Sequence, residues 1–128
     1  MLFRSKIKIL HTMGVETIYC PDEKNQIDLK RLMIDLGNRG IDSILLEGGG
    51  TLNDSALRAG IVNEVQAFVA PKLFGGVAGK TPVAGVGVKF PSEAVELKYT
   101  DICQIGQDIR IRCQVCEKKQ EESCLQES

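Results

Sequence analysis

Ile44-Leu45-Leu46-Glu47-Gly48-Gly49-Gly50-Thr51-Leu52-Asn53 carries most of the information in this chain: an apolar run ends in one carboxylate and three consecutive glycines before a helical pattern opens. A short, unbroken apolar run of this kind is the pattern of a parallel strand buried on both faces. Glycine lets the backbone take positive φ and approach a bound group closely. From Thr51 on, the free N–H groups of a first helical turn point back toward the glycines, where partial positive charge favours a phosphate. A nucleotide or sugar phosphate held beyond the carboxyl end of a strand is the ligand class this order implies. Glu47, at the strand tip with no adjacent cation, has to face a ligand or solvent.

Around this stretch the spacing predicts a helix over residues 6–13 that ends at Gly14, a strand over Val15–Cys20 closed by Pro21-Asp22, and a helix capped by Asp28. That helix carries Leu29, Leu32, Met33 and Leu36 and stops at Gly37 and Gly40. With a strand at 43–47 the order is strand, helix, strand, a right-handed parallel crossover. A helix over 51–59 and an alternating strand from Glu64 to Ala70 continue the series. Gly75, Gly76, Gly79, Gly85 and Gly87 with Pro82 and Pro91 then mark a long loop. Val95–Gln104 and Ile109–Cys116, joined through Ile105-Gly106-Gln107-Asp108, read as an antiparallel hairpin. The fold class is therefore α/β: three layers, with a mixed sheet made of a parallel βαβαβ part and a C-terminal antiparallel hairpin. The chain opens on a charged helix with no strand before it, so the sheet is expected to be incomplete on its N-terminal side. Residues 1–116 read as the second half of a domain, and the polar stretch 117–128 as a disordered tail.

Length and charge narrow the function classes. The 128 residues allow one domain with a sizeable core, and 16 basic against 17 acidic side chains leave a net charge of -1 with no basic run to track nucleic acid. No apolar stretch has the length of a membrane span, and Met1-Leu2-Phe3-Arg4-Ser5-Lys6 lacks the apolar centre of a signal peptide, so a soluble cytoplasmic protein is expected. Five cysteines, an odd number, read as reduced thiols. Cys113 and Cys116 form a C-x-x-C, but there is no second pair, and His11 is the only histidine, so no metal site is expected. Gly75-Gly76-Val77-Ala78-Gly79-Lys80-Thr81 is not a P-loop, because that spacing needs glycine where Phe74 stands and Pro82 is a poor helix start. His11 reads as solvated, Lys72 as a loop start, and Tyr19 and Tyr99 as packing residues.

Three segments in this order resemble one family: Ile44–Leu52; Phe68-Val69-Ala70-Pro71-Lys72-Leu73-Phe74-Gly75-Gly76; and Gly79-Lys80-Thr81-Pro82-Val83-Ala84-Gly85 with the closing hairpin around Ile105–Ile109. They are similar to the reductase domain of the bifunctional riboflavin-biosynthesis deaminase/reductase, whose fold is dihydrofolate-reductase-like. The similarity runs from about residue 14 to 116 and covers the second half of that domain. It implies NADPH-dependent reduction of the ribosyl group of 5-amino-6-(5-phosphoribosylamino)uracil to the ribityl group; a homodimer is expected on separate grounds, because a sheet lacking its first strands leaves an unpaired edge and apolar faces that pair with another chain. It also implies that Glu47 contacts the pyrimidine ribotide substrate and that Gly49, Gly50, Thr51, Leu52, Asn53, Asp54 and Ser55 bind the cofactor. The family's remaining contacts to nicotinamide and substrate phosphate have no counterpart in this sequence, so the fragment alone is expected to be inactive. Two alternatives share the residue pattern, a reductase of a pteridine or related heterocycle and a non-catalytic nucleotide-binding or assembly module.

Overall fold

The computed structural model describes residues 2–75 and 79–116, with side chains from Ser5 onward. The tail 117–128, expected to be disordered, lies outside the described residues, as does the 76–78 part of the P-loop look-alike. The chain divides into two compact units between Leu46 and Glu47.

In the first unit, helix α1 spans Leu2–Thr12 and ends before Gly14, whose φ of 77° reverses the chain. Helix α2 spans Leu29–Asn38. Asp28 caps it by accepting from the Arg31 N–H at 3.0 Å, as its position in the sequence predicts. The helix runs through Gly37 and is stopped at Gly40, which has φ 81° and donates to Gly37 O at 2.9 Å. Between the helices, Asp22 organises a tight turn: its Oδ1 accepts the N–H groups of Lys24 (2.9 Å) and Gln26 (2.7 Å). Among the described residues of this unit Cys20 is the buried one, and it lines a cleft of about 540 Å³ with Ile18, Tyr19, Ile27 and Leu32 among others.

The expected parallel crossover is not formed. Neither Val15–Cys20 nor residues 43–47 pair as strands with any described residue, apart from the single bridge Pro21–Ile27 beyond the first. A strand exists only where a neighbour supplies its hydrogen-bond ladder. The apolar run is correspondingly open to solvent, Leu45 most of all at 82% exposure.

The second unit holds helix α3, Gly50–Ala59, and three strands: β1 (Glu64–Val69), β2 (Leu97–Ile105) and β3 (Asp108–Val115). Their order is β1-β3-β2, and both pairings are antiparallel. The hairpin matches the sequence expectation. Its two-residue turn places Gly106 at φ 62°, a position that favours glycine. β1, expected to extend a parallel series, instead lies antiparallel to β3, with Val65 opposite Cys113 and Val69 opposite Ile109.

Period-2 alternation then sorts the sheet. Val65, Ala67 and Val69 share one face with Ile109, Ile111 and Cys113 and with Leu97, Tyr99 and Ile102. The opposite face carries Glu64, Arg110, Arg112 and Asp101. On it Arg112 pairs with Glu64 at 2.7 Å and Arg110 with Asp101 at 2.6 Å. β2 shifts register between Tyr99 and Asp101, and there Thr100 Oγ1 donates to Arg112 O at 3.1 Å.

Although the length allows a sizeable core, the described residues bury only Cys20, Ala56 and Cys113. No helix of either unit closely approaches the backbone of another element of its unit, so the expected layering of helices on a sheet is absent among the described residues. Tyr19 and Tyr99 are exposed (74% and 68%), not packed as the sequence pattern implies.

Candidate functional site

The first turn of α3 gathers the residues singled out in the sequence. Gly49 is the N-cap, with φ -65° and ψ 162°, and its carbonyl accepts from Leu52 (2.9 Å) and Asn53 (3.1 Å). None of Gly48, Gly49 and Gly50 adopts positive φ, so conformational freedom is not why they are glycines. Space separates them. A Cβ on Gly48 would lie 2.6 Å from Leu52 Cδ2, and one on Gly50 would lie 2.7 Å from Thr81 O and 2.9 Å from Ala84 N. A Cβ on Gly49 would meet nothing within 4 Å. The sequence reading treats Gly49 and Gly50 alike; the structure gives Gly50 a packing role against residues 81–84 and leaves the space beside Gly49 open.

The N–H groups of Gly50 and Thr51 have no partner among the described residues, as a first helical turn dictates. They are two donors at the positive end of a ten-residue helix. Asn53 adds an acceptor: its Nδ2 donates to Pro82 O at 2.8 Å, while its Oδ1 is buried without a hydrogen-bond partner among the described residues. Glu47 precedes this turn, is exposed, and makes no hydrogen bond or ion pair with a described residue. Leu52 is 40% exposed, and Ser55 Oγ donates back to Thr51 O at 2.9 Å, which takes that hydroxyl proton out of play.

Sequence reasoning missed a second component. Residues 81–87 lie along α3 as a strap. Ala84 N–H donates to Gly50 O at 3.0 Å, and Arg58 Nη2 donates to Gly87 O at 2.9 Å. Arg58 Nε also donates to both oxygens of Asp54, at 3.0 and 2.9 Å. Beside that carboxylate lies Gly85, with φ 98°, where a Cβ would stand 2.2 Å from Asp54 Oδ2. Gly50, Asn53, Asp54 and Arg58 share one face of α3 by their spacing. The glycines at 85 and 87 and the Asp54/Arg58 spacing were the available signal. The C-terminal end of α3 closes at Gly60, left-handed at φ 67°, with Ala56 facing inward at 1% exposure.

Elsewhere, His11 Nε2 lies 3.2 Å from Thr17 Oγ1 on an exposed surface, and Lys72 is exposed, its N–H bonded to Ala70 O at 2.8 Å. Cys20, Cys103, Cys113 and Cys116 are free thiols, and no cluster of three metal-ligating side chains occurs among the described residues.

The sequence pattern of the RibD C-terminal domain matches residues 3–111. The chain belongs to that family. It is 45% identical over 104 residues to a riboflavin biosynthesis protein RibD of Actinobacillus pleuropneumoniae, a match covering 81% of this chain and 28% of the relative. A 5-amino-6-(5-phosphoribosylamino)uracil reductase of Buchnera aphidicola is 32% identical over 91 residues, 70% of this chain and 43% of the relative. Among solved structures, RibD of Acinetobacter baumannii superposes with a TM-score of 0.74 at 25% identity, over 85% of this chain and 29% of that one. The chain thus spans less than half the length of these relatives, and its α/β fold with a small antiparallel sheet is similar to that of the Acinetobacter RibD structure.

Proposed function

We propose that this chain forms the second half of a reductase domain of riboflavin biosynthesis. In this reading the domain reduces the ribosyl group of 5-amino-6-(5-phosphoribosylamino)uracil to the ribityl group with NADPH. The observation that carries the reading is the open first turn of α3: two unpaired N–H donors and the free space at Gly49 stand next to an exposed, unpaired Glu47 in a RibD C-terminal domain. The relatives' names supply the reaction class, and the chemistry of the donor set supplies the fit.

That donor set suits a nucleotide. N–H groups at a helix N-terminus bind phosphate oxygens, and the buried, unpartnered Asn53 Oδ1 accepts from a donor brought by the ligand. Gly49 through Ser55 would hold the cofactor, which when bound supplies the hydride. Glu47 lies outside the cradle, as a group that orients a substrate hydroxyl does. What these residues contribute to rate is placement of the reacting carbons.

The complete domain in this proposal has dihydrofolate-reductase-like layering, in which Val15–Cys20 and residues 43–47 gain strand neighbours. The partly exposed apolar face of β1, β3 and β2 supports association, and we assign a homodimer. The four cysteines among the described residues are free thiols, which accords with a reducing, cytoplasmic setting.

NADPH titration of the purified chain, an assay with the pyrimidine ribotide, and light scattering test the reading together. Expected are NADPH binding, little turnover by this chain alone, and a dimer mass. Robust turnover by a monomer overturns the half-domain assignment, and absence of NADPH binding overturns the cradle. In a complete reductase domain containing this sequence, Glu47→Gln is expected to lower kcat/KM for the ribotide by the loss of one charged hydrogen bond, about 1.5–3 kcal/mol, with NADPH affinity retained.

A further inference from the structure

We infer that Arg58 is a positioning residue for the cofactor, acting through the strap 81–87 and not by contact. The inference rests on the nucleotide reading of the α3 first turn. Arg58 lies eight residues after Gly50, about 12 Å along a helix axis, too far along to belong to the first-turn donors. Its guanidinium nevertheless closes a chain of contacts that returns to them. Nε holds both oxygens of Asp54, and Nη2 holds Gly87 O at the far end of the strap. The near end is fixed at the donors themselves, by Ala84 N–H on Gly50 O and by Asn53 Nδ2 on Pro82 O.

Three features show that the strap is fitted to the helix. Gly50 leaves room for Thr81 O and Ala84. Gly85 takes a left-handed φ of 98°, and the volume its side chain would fill holds the Asp54 carboxylate. That carboxylate, in turn, is oriented by Arg58. The strap therefore forms a wall beside the N–H groups of Gly50 and Thr51, and it also sets how the Asn53 amide is turned: with one Nδ2 hydrogen on Pro82 O, Oδ1 is held as an unpartnered acceptor. A wall fixed before the ligand arrives spares the ordering cost at binding. Releasing its far end restores that cost, although no ligand contact has been removed.

The test uses the 128-residue chain with Arg58→Ala, Arg58→Lys and Gly85→Ala. Amide exchange at Ala84, measured without nucleotide, reads the strap; NADPH titration reads the site; exchange along α3 reads the helix. In Arg58→Ala, Ala84 exchange and the NADPH dissociation constant are each expected to rise about tenfold with α3 still protected. Arg58→Lys keeps a donor for Asp54 and is expected to recover part of both. Gly85→Ala displaces the strap with Arg58 intact and should reproduce the loss, so the question stays answerable if Arg58→Ala fails to fold. Unchanged Ala84 protection in both strap variants overturns the inference, as does NADPH affinity within about twofold of the parent once that protection is lost. A parent chain whose Ala84 is protected but which does not bind NADPH overturns the nucleotide reading, and the inference with it.

Discussion

Asp108–Val115 and residues 43–47 are both apolar-patterned runs beside a glycine turn, yet one is the central strand of a sheet and the other pairs with nothing among the described residues. β3 reaches its first partner, β2, through a two-residue turn and has β1 as its second on the other side, so its N–H and C=O groups meet a ladder on both sides. Residues 43–47 follow a helix and would need a parallel neighbour, which a short turn cannot supply. The hydrophobic period is similar in kind; the availability of a partner differs. Apolar patterning reports which face a segment would bury, and pairing is decided by where complementary backbone lies.

The largest expected effect separates the two regions directly. Ala56→Asp places a charge at a position of 1% exposure and is expected to cost more than about 3 kcal/mol, read by loss of cooperative unfolding of the second unit. Leu45→Asp, within the run that reads as a buried strand, is expected to change stability of this chain by less than about 0.5 kcal/mol. A cost for Leu45→Asp comparable to that of Ala56→Asp would show that residues 43–47 are packed as a strand after all.

Next in size is the contrast within the glycine run. Gly50→Ala drives a methyl into Thr81 O and Ala84 N and is expected to cost about 1–3 kcal/mol, with faster exchange at Ala84. Gly49→Ala meets open space and should stay within about 1 kcal/mol in thermal melts. Equal costs would remove the distinction between a glycine that admits the chain's own strap and one that borders free space.

The smallest effect concerns acid. Hydrogen bonds from Arg112 to Glu64 and from Arg110 to Asp101 hold both carboxyls below the ordinary carboxylate range. Groups lowered in the folded state contribute stability that is present above their unfolded pKa and is lost as pH falls through the folded value. Exchange protection of β3 is therefore expected to weaken modestly as pH drops below about 4, and Arg110→Gln with Arg112→Gln should flatten that dependence. Acid-insensitive protection in the parent would show that the polar face contributes nothing to the sheet. No such pairing with a described residue supports residues 43–47.

The sequence by itself determined the local elements whose signals are complete within a few residues. Asp28 and Gly60 bound their helices because a cap needs one side chain or one left-handed residue, and Gly106 turns the hairpin for the same local reason. It also located the candidate site, since Glu47 and the following glycines are contiguous, and it placed the chain in its family. The tertiary structure alone decided the rest. That β1 runs antiparallel to β3 depends on contacts forty or more residues apart, which no period encodes. That Gly50 is a packing glycine depends on Thr81 and Ala84. The strap, with Asp54 filling the space left by Gly85 and Arg58 tying Gly87, was invisible for the same reason: its residues are ordinary loop and helix positions until the fold brings them within 3 Å of one another.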